Sequence, residues 1–288
     1  MTWTVSSPRS PTTPGPGAES AVYDTITFLT DFGLQDDFVG VCHGVMRRIA
    51  RDVQILDISH GIDPQAVTQG ALVLARSIPY VPAGVHLAVV DPGVGGDRRA
   101  IAIRTREGRV YVGPDNGLLT VAADREGVEA ARSLTNPRYH LERVSRTFHA
   151  RDLFAPVAAH LAAGAHFDDL GAEVDPASLI RLDLPQAVVA GGVLRAAILD
   201  RDRFGNLGLN VTRADIEALG LVPGVRVELD VTLNSYYALV AETYADATRG
   251  ELILYEDSYG AYAIAINGGN AAALLEAGSG DEVTIRIA

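Results

Sequence analysis

The stretch Val89–Arg99, "VVDPGVGGDRR", closes an apolar run on an aspartate, passes through Gly93, Gly95 and Gly96, and arrives at two arginines. A glycine-rich turn after a strand suggests a phosphate cradle, but such cradles set the phosphate on a helix N-terminus. Here the turn leads through Asp97, Arg98 and Arg99 into "AIAIRT", another strand-like run. The phosphate reading fails. What is left is a strand end presenting Asp91, followed either by an ordinary β-turn with a surface ion pair or by a loop that serves a ligand.

Upstream of it, strand-like and helix-like blocks alternate. "TITFLT" is a β-branched apolar run, and after the loop "DFGLQDD" the residues Phe38, Val41, Cys42, Val45 and Ile49 fall on one helical face. "VQILDIS" is a second strand, "HGIDPQ" a turn, "AVTQGALVLARSI" a second helix and "GVHLAVVD" a third strand. This βαβαβ order predicts a mainly parallel sheet flanked by helices, with ligands in the crevice beyond the carboxyl ends of the strands. Asp31, the segment from Asp57 to His60, and Asp91 would share that rim.

Downstream, "AIAIRT" and "RVYVG" flank the "REG" turn, and "PDNG", Pro114–Gly117, ends the hairpin. In "TFHARDLFAPVAAHLAAG" the residues Leu153, Phe154, Val157 and Leu161 share a helical face, with His149 at its start. From about Val188 the chain becomes short strands with turns between them, which predicts a small antiparallel β-barrel or sandwich. The expected division is a tail over residues 1–20, an α/β domain over 21–187 and a C-terminal β-barrel domain over 188–288. The tail, "MTWTVSSPRSPTTPGPGAES", offers nothing to bury and reads as disordered.

Composition narrows the function. The chain has 288 residues, 48% hydrophobic, with 36 acidic against 24 basic residues and a net charge of −12, and no basic block suited to nucleic acid. No apolar run approaches the ~18 residues of a membrane span, and no signal peptide is indicated. The single cysteine, Cys42, excludes an internal disulfide and suits a cytoplasmic location. The histidines show no HExxH pairing, and no metal is expected.

Individual candidates stay ambiguous. Asp31, at a strand end, is well placed for a ligand, whereas Asp36 and Asp37 read as helix-capping charges. His149 is equally a general base or a capping residue. His43 and His160 read as packing or surface residues, and His60, at the crevice, is undecided. In "RDRFGNLGLN" the ring of Phe204 beside the amide of Asn206 suits a nucleobase, though such turns are also plain punctuation.

Taken in order, "TDFG", "DISH", "VVDPGVG" with its arginines, "PDNG", "TFHARD", "RFGN" and "NGGNAA" resemble the S-adenosyl-L-methionine (SAM) hydrolases, the adenosine-forming hydroxide adenosyltransferases. The likeness runs from about Ile26 to the C-terminus. It implies an α/β domain, a C-terminal barrel, and a homotrimer whose sites lie between the first domain of one subunit and the barrel of its neighbour. It implies hydrolysis of SAM, as substrate and without a cofactor, to adenosine and L-methionine by a catalytic set matching Asp91, Arg98 and His149. By the same resemblance Asp31 holds the ribose hydroxyls, as Asp91 also contacts substrate. The turn with Asp202, Phe204 and Asn206 holds the adenosine end, Ser258 and Tyr259 the methionine moiety, and Asn270 and Ala271 face the adenine. Two positions depart from the pattern: Ala150, often glycine, and Tyr259, arginine in some relatives.

The same superfamily contains halogenases that attack SAM with fluoride or chloride. There tyrosine typically replaces the aspartate matching Asp91, the matching histidine is missing, and fluorinating members carry a long insertion before "PDNG" and a tryptophan near Gln65. With Asp91, His149, a short connection and Gln65, this chain is expected to hydrolyse. A non-catalytic SAM- or adenosine-binding protein is the reading from another class.

Overall fold

The structure, a computed structural model, describes residues 22–288; the expected tail over 1–20 lies outside them. The described residues form two compact units, one ending at Ile180 and the other running from Arg181 to Ala288.

In the first unit β1 (Thr25–Thr30), α1 (Phe38–Ile49), β2 (Gln54–Ser59), α2 (Val67–Ser77) and β3 (Val85–Val89) build the expected βαβαβ motif. β4 (Ala100–Thr105), β5 (Val110–Pro114), α3 (Thr120–Glu126), β6 (Val128–Ser133), α4 (Ala155–Ala162) and β7 (Glu173–Val174) follow. The sheet order is β2-β1-β3-β5-β4-β6-β7. β2, β1, β3 and β5 run parallel, while β4, β6 and β7 add antiparallel pairings, so the sheet is mixed with a parallel half. The chain leaves β1 for β2 on one side and returns to β3 on the other. The carboxyl ends of β1 and β3 therefore flank a switch point, where open α/β sheets bind ligands.

The side-chain period of two divides the strands between two faces. Ile26, Phe28, Val85, Leu87 and Val89 join one apolar core with Val39, Cys42 and Met46 of α1 and Val157, Ala158 and Leu161 of α4. On the opposite face Leu29 and Val90 close on Gly70 of α2, where a side chain would meet Leu118 and Val90. α4 is preceded by one turn of π-helix over Ala150–Phe154, and such turns mark functional segments. Among the described residues no helix is long and apolar enough to cross a membrane.

The second unit contains β8 (Val188–Ala190), β9 (Val193–Arg201), β10 (Leu207–Leu209), α5 (Arg213–Ala218), β11 (Arg226–Val231), β12 (Asn234–Ala241), β13 (Leu252–Glu256), β14 (Tyr262–Ile266), α6 (Ala271–Leu275) and β15 (Glu282–Ile287). The order β10-β14-β13-β12-β11-β15-β9 closes through the β9–β10 pairing into a seven-strand barrel, with β8 appended to β9. Alternate residues fill it: Leu194, Ala196 and Ile198; Val227, Leu229 and Val231; Leu252 and Leu254; Val283 and Ile285. The barrel is antiparallel except between β12 and β13, which pair in parallel. The connection between those two strands crosses over through a short helical turn at Tyr244–Asp246 instead of making a hairpin. Ala271, Ala272 and Leu275 of α6 plug into this core.

Candidate active site

Asp91 leaves the end of β3, and the "PDNG" turn fixes where it points. The Asn116 side-chain amide donates to the Val90 carbonyl at 2.9 Å, so the turn after β5 braces the residue before Asp91. Asp115 beside it is buried, pairs with Arg99 at 2.7 Å and accepts from the Ile180 N–H at 2.9 Å. Arg99 is thereby committed to the fold. Arg98 is the arginine that turns back.

Arg98 Nε donates to both carboxylate oxygens of Asp91, at 3.1 and 3.0 Å, and Nη2 donates to Oδ2 at 2.6 Å. The two side chains are 11% and 6% exposed, so the pair is far better shielded than a surface ion pair. Nη2 also lies 2.7 Å from His149 Nδ1, and the guanidinium carbon sits 5.1 Å from the centre of the Phe154 ring. Asp91, Arg98 and His149 thus form one hydrogen-bonded chain.

The glycines of the opening turn make this possible. Gly95 adopts φ +77, and a side chain there would run into the Arg146 carbonyl oxygen. Only glycine lets the turn pack on the strand of backbone that leads into His149. That segment is itself pinned by Asp152, which accepts from the Ser145 N–H at 2.8 Å and pairs with Arg151 at 2.6 Å. His149 occupies the position ahead of the π-turn, yet its side chain makes no capping bond. The capping alternative is excluded. Burial holds its pKa below the ordinary histidine value, with the Arg98 charge acting in the same direction and the Asp91 carboxylate opposing.

Asp91 and His149, with Arg98 behind them, face a cleft of about 270 Å³ lined by Asp31, Phe32, Gln65, Val89, Asp91, Pro92, Val94 and the Thr147–Ala150 segment. Asp31 Oδ2 accepts from the Gln65 N–H at 2.8 Å. Gln65 has φ +67, a left-handed conformation uncommon for a non-glycine residue and typical of functional loops. Neither its conformation nor its contact with Asp31 is encoded in a local sequence signal. The rings of Phe32, Phe38 and Phe148 stack edge-to-face around one wall, with centroids 5.2 to 5.9 Å apart. Asp37 takes the N-cap position of α1, where its charge suits the helix N-terminus as expected, without making a side-chain capping bond.

The remaining candidates cluster on the barrel unit. Asp202 Oδ1 accepts from the Phe204 and Asn206 N–H groups at 2.8 and 2.9 Å, and Oδ2 accepts from the Asn206 amide at 2.7 Å. Asp202 therefore builds the turn, in which Phe204 is 71% exposed. Gly205, at φ +86, lies so close to Asn270 that no side chain fits, and its carbonyl accepts from Ala272 N–H at 2.9 Å. The Asn270 side chain caps α6 by accepting from Ala273 N–H at 2.8 Å. Asp202, Phe204, Asn206 and Asn270 thus lie together, whereas the Ala271 side chain that follows is buried in the barrel core. Ser258 and Tyr259 lie in the exposed β13–β14 turn, organised by Asp257, which accepts from the Tyr259 and Ala261 N–H groups. Asp257 shapes that turn and carried no signal of its own in the sequence.

Of the other histidines, His86 is fully buried against Thr27 at 2.8 Å, and His160 packs on Tyr139. His43 is no bystander: its Nε2 lies 2.9 Å from Asp57 Oδ1, beside a buried His60.

Residues 26–171 match the model of the SAM hydroxide adenosyltransferase N-terminal domain, and residues 196–284 match that of its C-terminal domain. The chain is 46% identical to a protein of Salinispora arenicola named (R)-S-adenosyl-L-methionine hydrolase, over 90% of this chain and 97% of that one. It is 31% identical to a fluorinase of an Actinoplanes species, over 84% of this chain and 90% of that one. A crystal structure of an uncharacterized conserved protein from Thermotoga maritima superposes with a TM-score of 0.86 at 36% identity, covering 91% of this chain and 99% of that one. Two domain models in sequence, a hydrolase relative of nearly full length and a matching fold leave one assignment: this chain belongs to the SAM hydroxide adenosyltransferase family.

Proposed function

We propose that this protein is an enzyme that hydrolyses SAM to adenosine and L-methionine by attack of water at C5′. The observation that carries the reading is the chain Asp91–Arg98–His149 at the cleft, in a protein 46% identical to a named SAM hydrolase.

The chemistry explains why such a set is useful. SAM's sulfonium releases neutral methionine, so the departing sulfur needs no acid. The deficiency is the nucleophile, because water must be oriented and relieved of a proton. In the proposed mechanism Asp91 fixes Arg98 through a forked charge-assisted pair, the guanidinium favours the hydroxide form of a water beside it, and the proton that water gives up passes to solvent, so that SAM and water yield adenosine, methionine and one proton. A guanidinium only donates, so Nδ1 of His149 accepts from it and the neutral ring carries its proton on Nε2. His149 then offers an N–H that orients the attacking oxygen. Hydroxide meeting a sulfonium annihilates charge, and the apolar walls of Phe32, Val89 and Phe148 raise the benefit of that cancellation. No cofactor enters.

Asp31 is assigned the ribose hydroxyls, with Asp91 also at the substrate. Asp202, Phe204, Asn206, Asn270 and Ala271 are assigned the adenosine end, and Ser258 and Tyr259 the methionine moiety. The proposed assembly is a homotrimer in which the barrel residues of one subunit serve the site of its neighbour, and the proposed location is the cytoplasm. Family resemblance supports both, and the single buried Cys42 agrees with a reducing compartment.

Halide attack is the second reading, favoured by fluorinase relatives at 31% identity. The experiment is incubation of pure protein with SAM, with and without fluoride or chloride, followed by mass spectrometry. Adenosine and methionine are expected in every arm. A 5′-halonucleoside would favour the halogenase, and unchanged SAM a binding protein.

A further inference from the structure

Away from that chain, three side chains from three segments converge at the exposed edge of the sheet. His43 projects from α1, Asp57 from β2 and His60 from the turn that follows. His43 Nε2 and His60 Nε2 lie 2.9 and 3.1 Å from the same oxygen, Asp57 Oδ1, and each of the three residues offers a ligand atom within 4.8 Å of the others. None of the three lines the cleft.

The second observation concerns His60. Its side chain is only 3% exposed, and its Nδ1 is held by the Thr30 hydroxyl at 2.8 Å. Nε2 stands 3.1 Å from Asp57 Oδ1, at ion-pair distance but without the alignment of a good hydrogen bond, and makes no other hydrogen bond. A buried imidazole nitrogen without a bond is costly, and here it faces a carboxylate.

We propose that His43 Nε2, Asp57 Oδ1 and His60 Nε2 form a binding site for a divalent transition-metal ion, with zinc the best match. Two imidazoles and one carboxylate suit zinc over magnesium or calcium, which prefer all-oxygen shells. A tetrahedral ion about 2.0 Å from each ligand separates them by about 3.3 Å, a few tenths of an ångström beyond the separations from Asp57. The Thr30 bond to His60 Nδ1 supplies the outer partner that fixes a ligating imidazole. His43 and Asp57 are 32% and 40% exposed, so the fourth position opens to solvent.

The ion would tie α1 to the edge strand and, through His60, stiffen the first rim loop. The His60 carbonyl accepts from Gly33 N–H at 2.7 Å, and Thr30 Oγ1 also accepts from Phe32 N–H at 3.2 Å. The metal site is a structural clasp on the loop that carries Asp31, with no part in the transfer step.

The test is titration of tag-free, chelator-treated full-length protein with Co²⁺, followed by visible absorption, and with Zn²⁺, followed by calorimetry. One equivalent should bind. His43→Ala and the near-isosteric Asp57→Asn should each weaken binding by at least the roughly 100-fold that loss of an outer partner can reach. His149→Ala should bind as the parent does, and circular dichroism of each metal-free variant checks its fold. Absence of a saturable Co²⁺ band in the parent, or equal binding by folded His43→Ala and Asp57→Asn, would overturn the proposal.

Discussion

Arg98 Nη2 stands 2.6 Å from Asp91 Oδ2 and 2.7 Å from His149 Nδ1, so a single nitrogen joins the carboxylate to the imidazole. Because arginine has no lone pair to offer, the geometry dictates the histidine tautomer. In ¹⁵N-resolved spectra of the protein near neutral pH, His149 should show a protonated Nε2 and a bare Nδ1. A protonated Nδ1 would contradict the role given to Arg98.

Replacing Arg98 by lysine keeps the charge and loses the fork. A lysine cannot hold Asp91 and reach His149 together, so kcat should fall about 100-fold or more, the usual scale for one lost charge-stabilising donor. KM should change little. Arg98→Ala should be worse on both counts, since it strands a shielded carboxylate at a stability cost of about 3–5 kcal/mol. Wild-type turnover in Arg98→Lys, measured by adenosine release, would sink the assignment.

Gly95→Ala tests the turn without touching a reacting group. The new side chain meets the Arg146 carbonyl oxygen, and φ +77 disfavours any Cβ. A loss of about 1–3 kcal/mol in stability is expected, together with a fall in kcat because the turn and the His149 segment are pushed apart. Activity equal to the parent in a folded Gly95→Ala would show that their close packing is unnecessary.

Much of this was legible in the sequence, for reasons that can be named. The apolar run of β1, buried along its whole length, and the amphipathic spacing of α1 are local signals, but the helical face read from Phe38, Val41, Cys42, Val45 and Ile49 is turned in the structure, which buries Val39, Cys42 and Met46, leaves Val45 and Ile49 at the margin and exposes Phe38. Asp31 and Asp91 lie at strand ends, and parallel pairing carries strand ends to one rim. The choice between Arg98 and Arg99 was not local. It depends on Asp115 claiming Arg99 from across the sheet. The parallel β12–β13 pair was equally hidden, since strand polarity follows from a crossover that composition does not mark. Asp37 was legible as the start of α1, while the missing side-chain bond was not, since exposed N–H groups at a helix start can donate to water instead.

Two histidines give the pH dependence its sign. His149 is held below its ordinary value, first by burial and then by Arg98. It therefore stays neutral down to a pH below 6.5, and kcat/KM should fall only as acid protonates it beneath that value. Protonation above pH 6.5 in the folded enzyme would contradict this. His86, wholly buried, is pushed down to about 3 by burial and by Arg109. The unfolded chain binds that proton first, so its contribution is complete above about pH 6.5 and is lost as pH falls toward 3, at up to about 1.4 kcal/mol per pH unit. Urea midpoints should decline over that range, and less steeply in His86→Gln.

The most direct test of the central claim follows the oxygen. SAM is turned over in water enriched in oxygen-18, and adenosine and methionine are analysed by mass spectrometry. Attack by water at C5′ places the label in the 5′-hydroxyl of adenosine and leaves methionine unlabelled. Adenosine formed without label, or no adenosine at all, would contradict it.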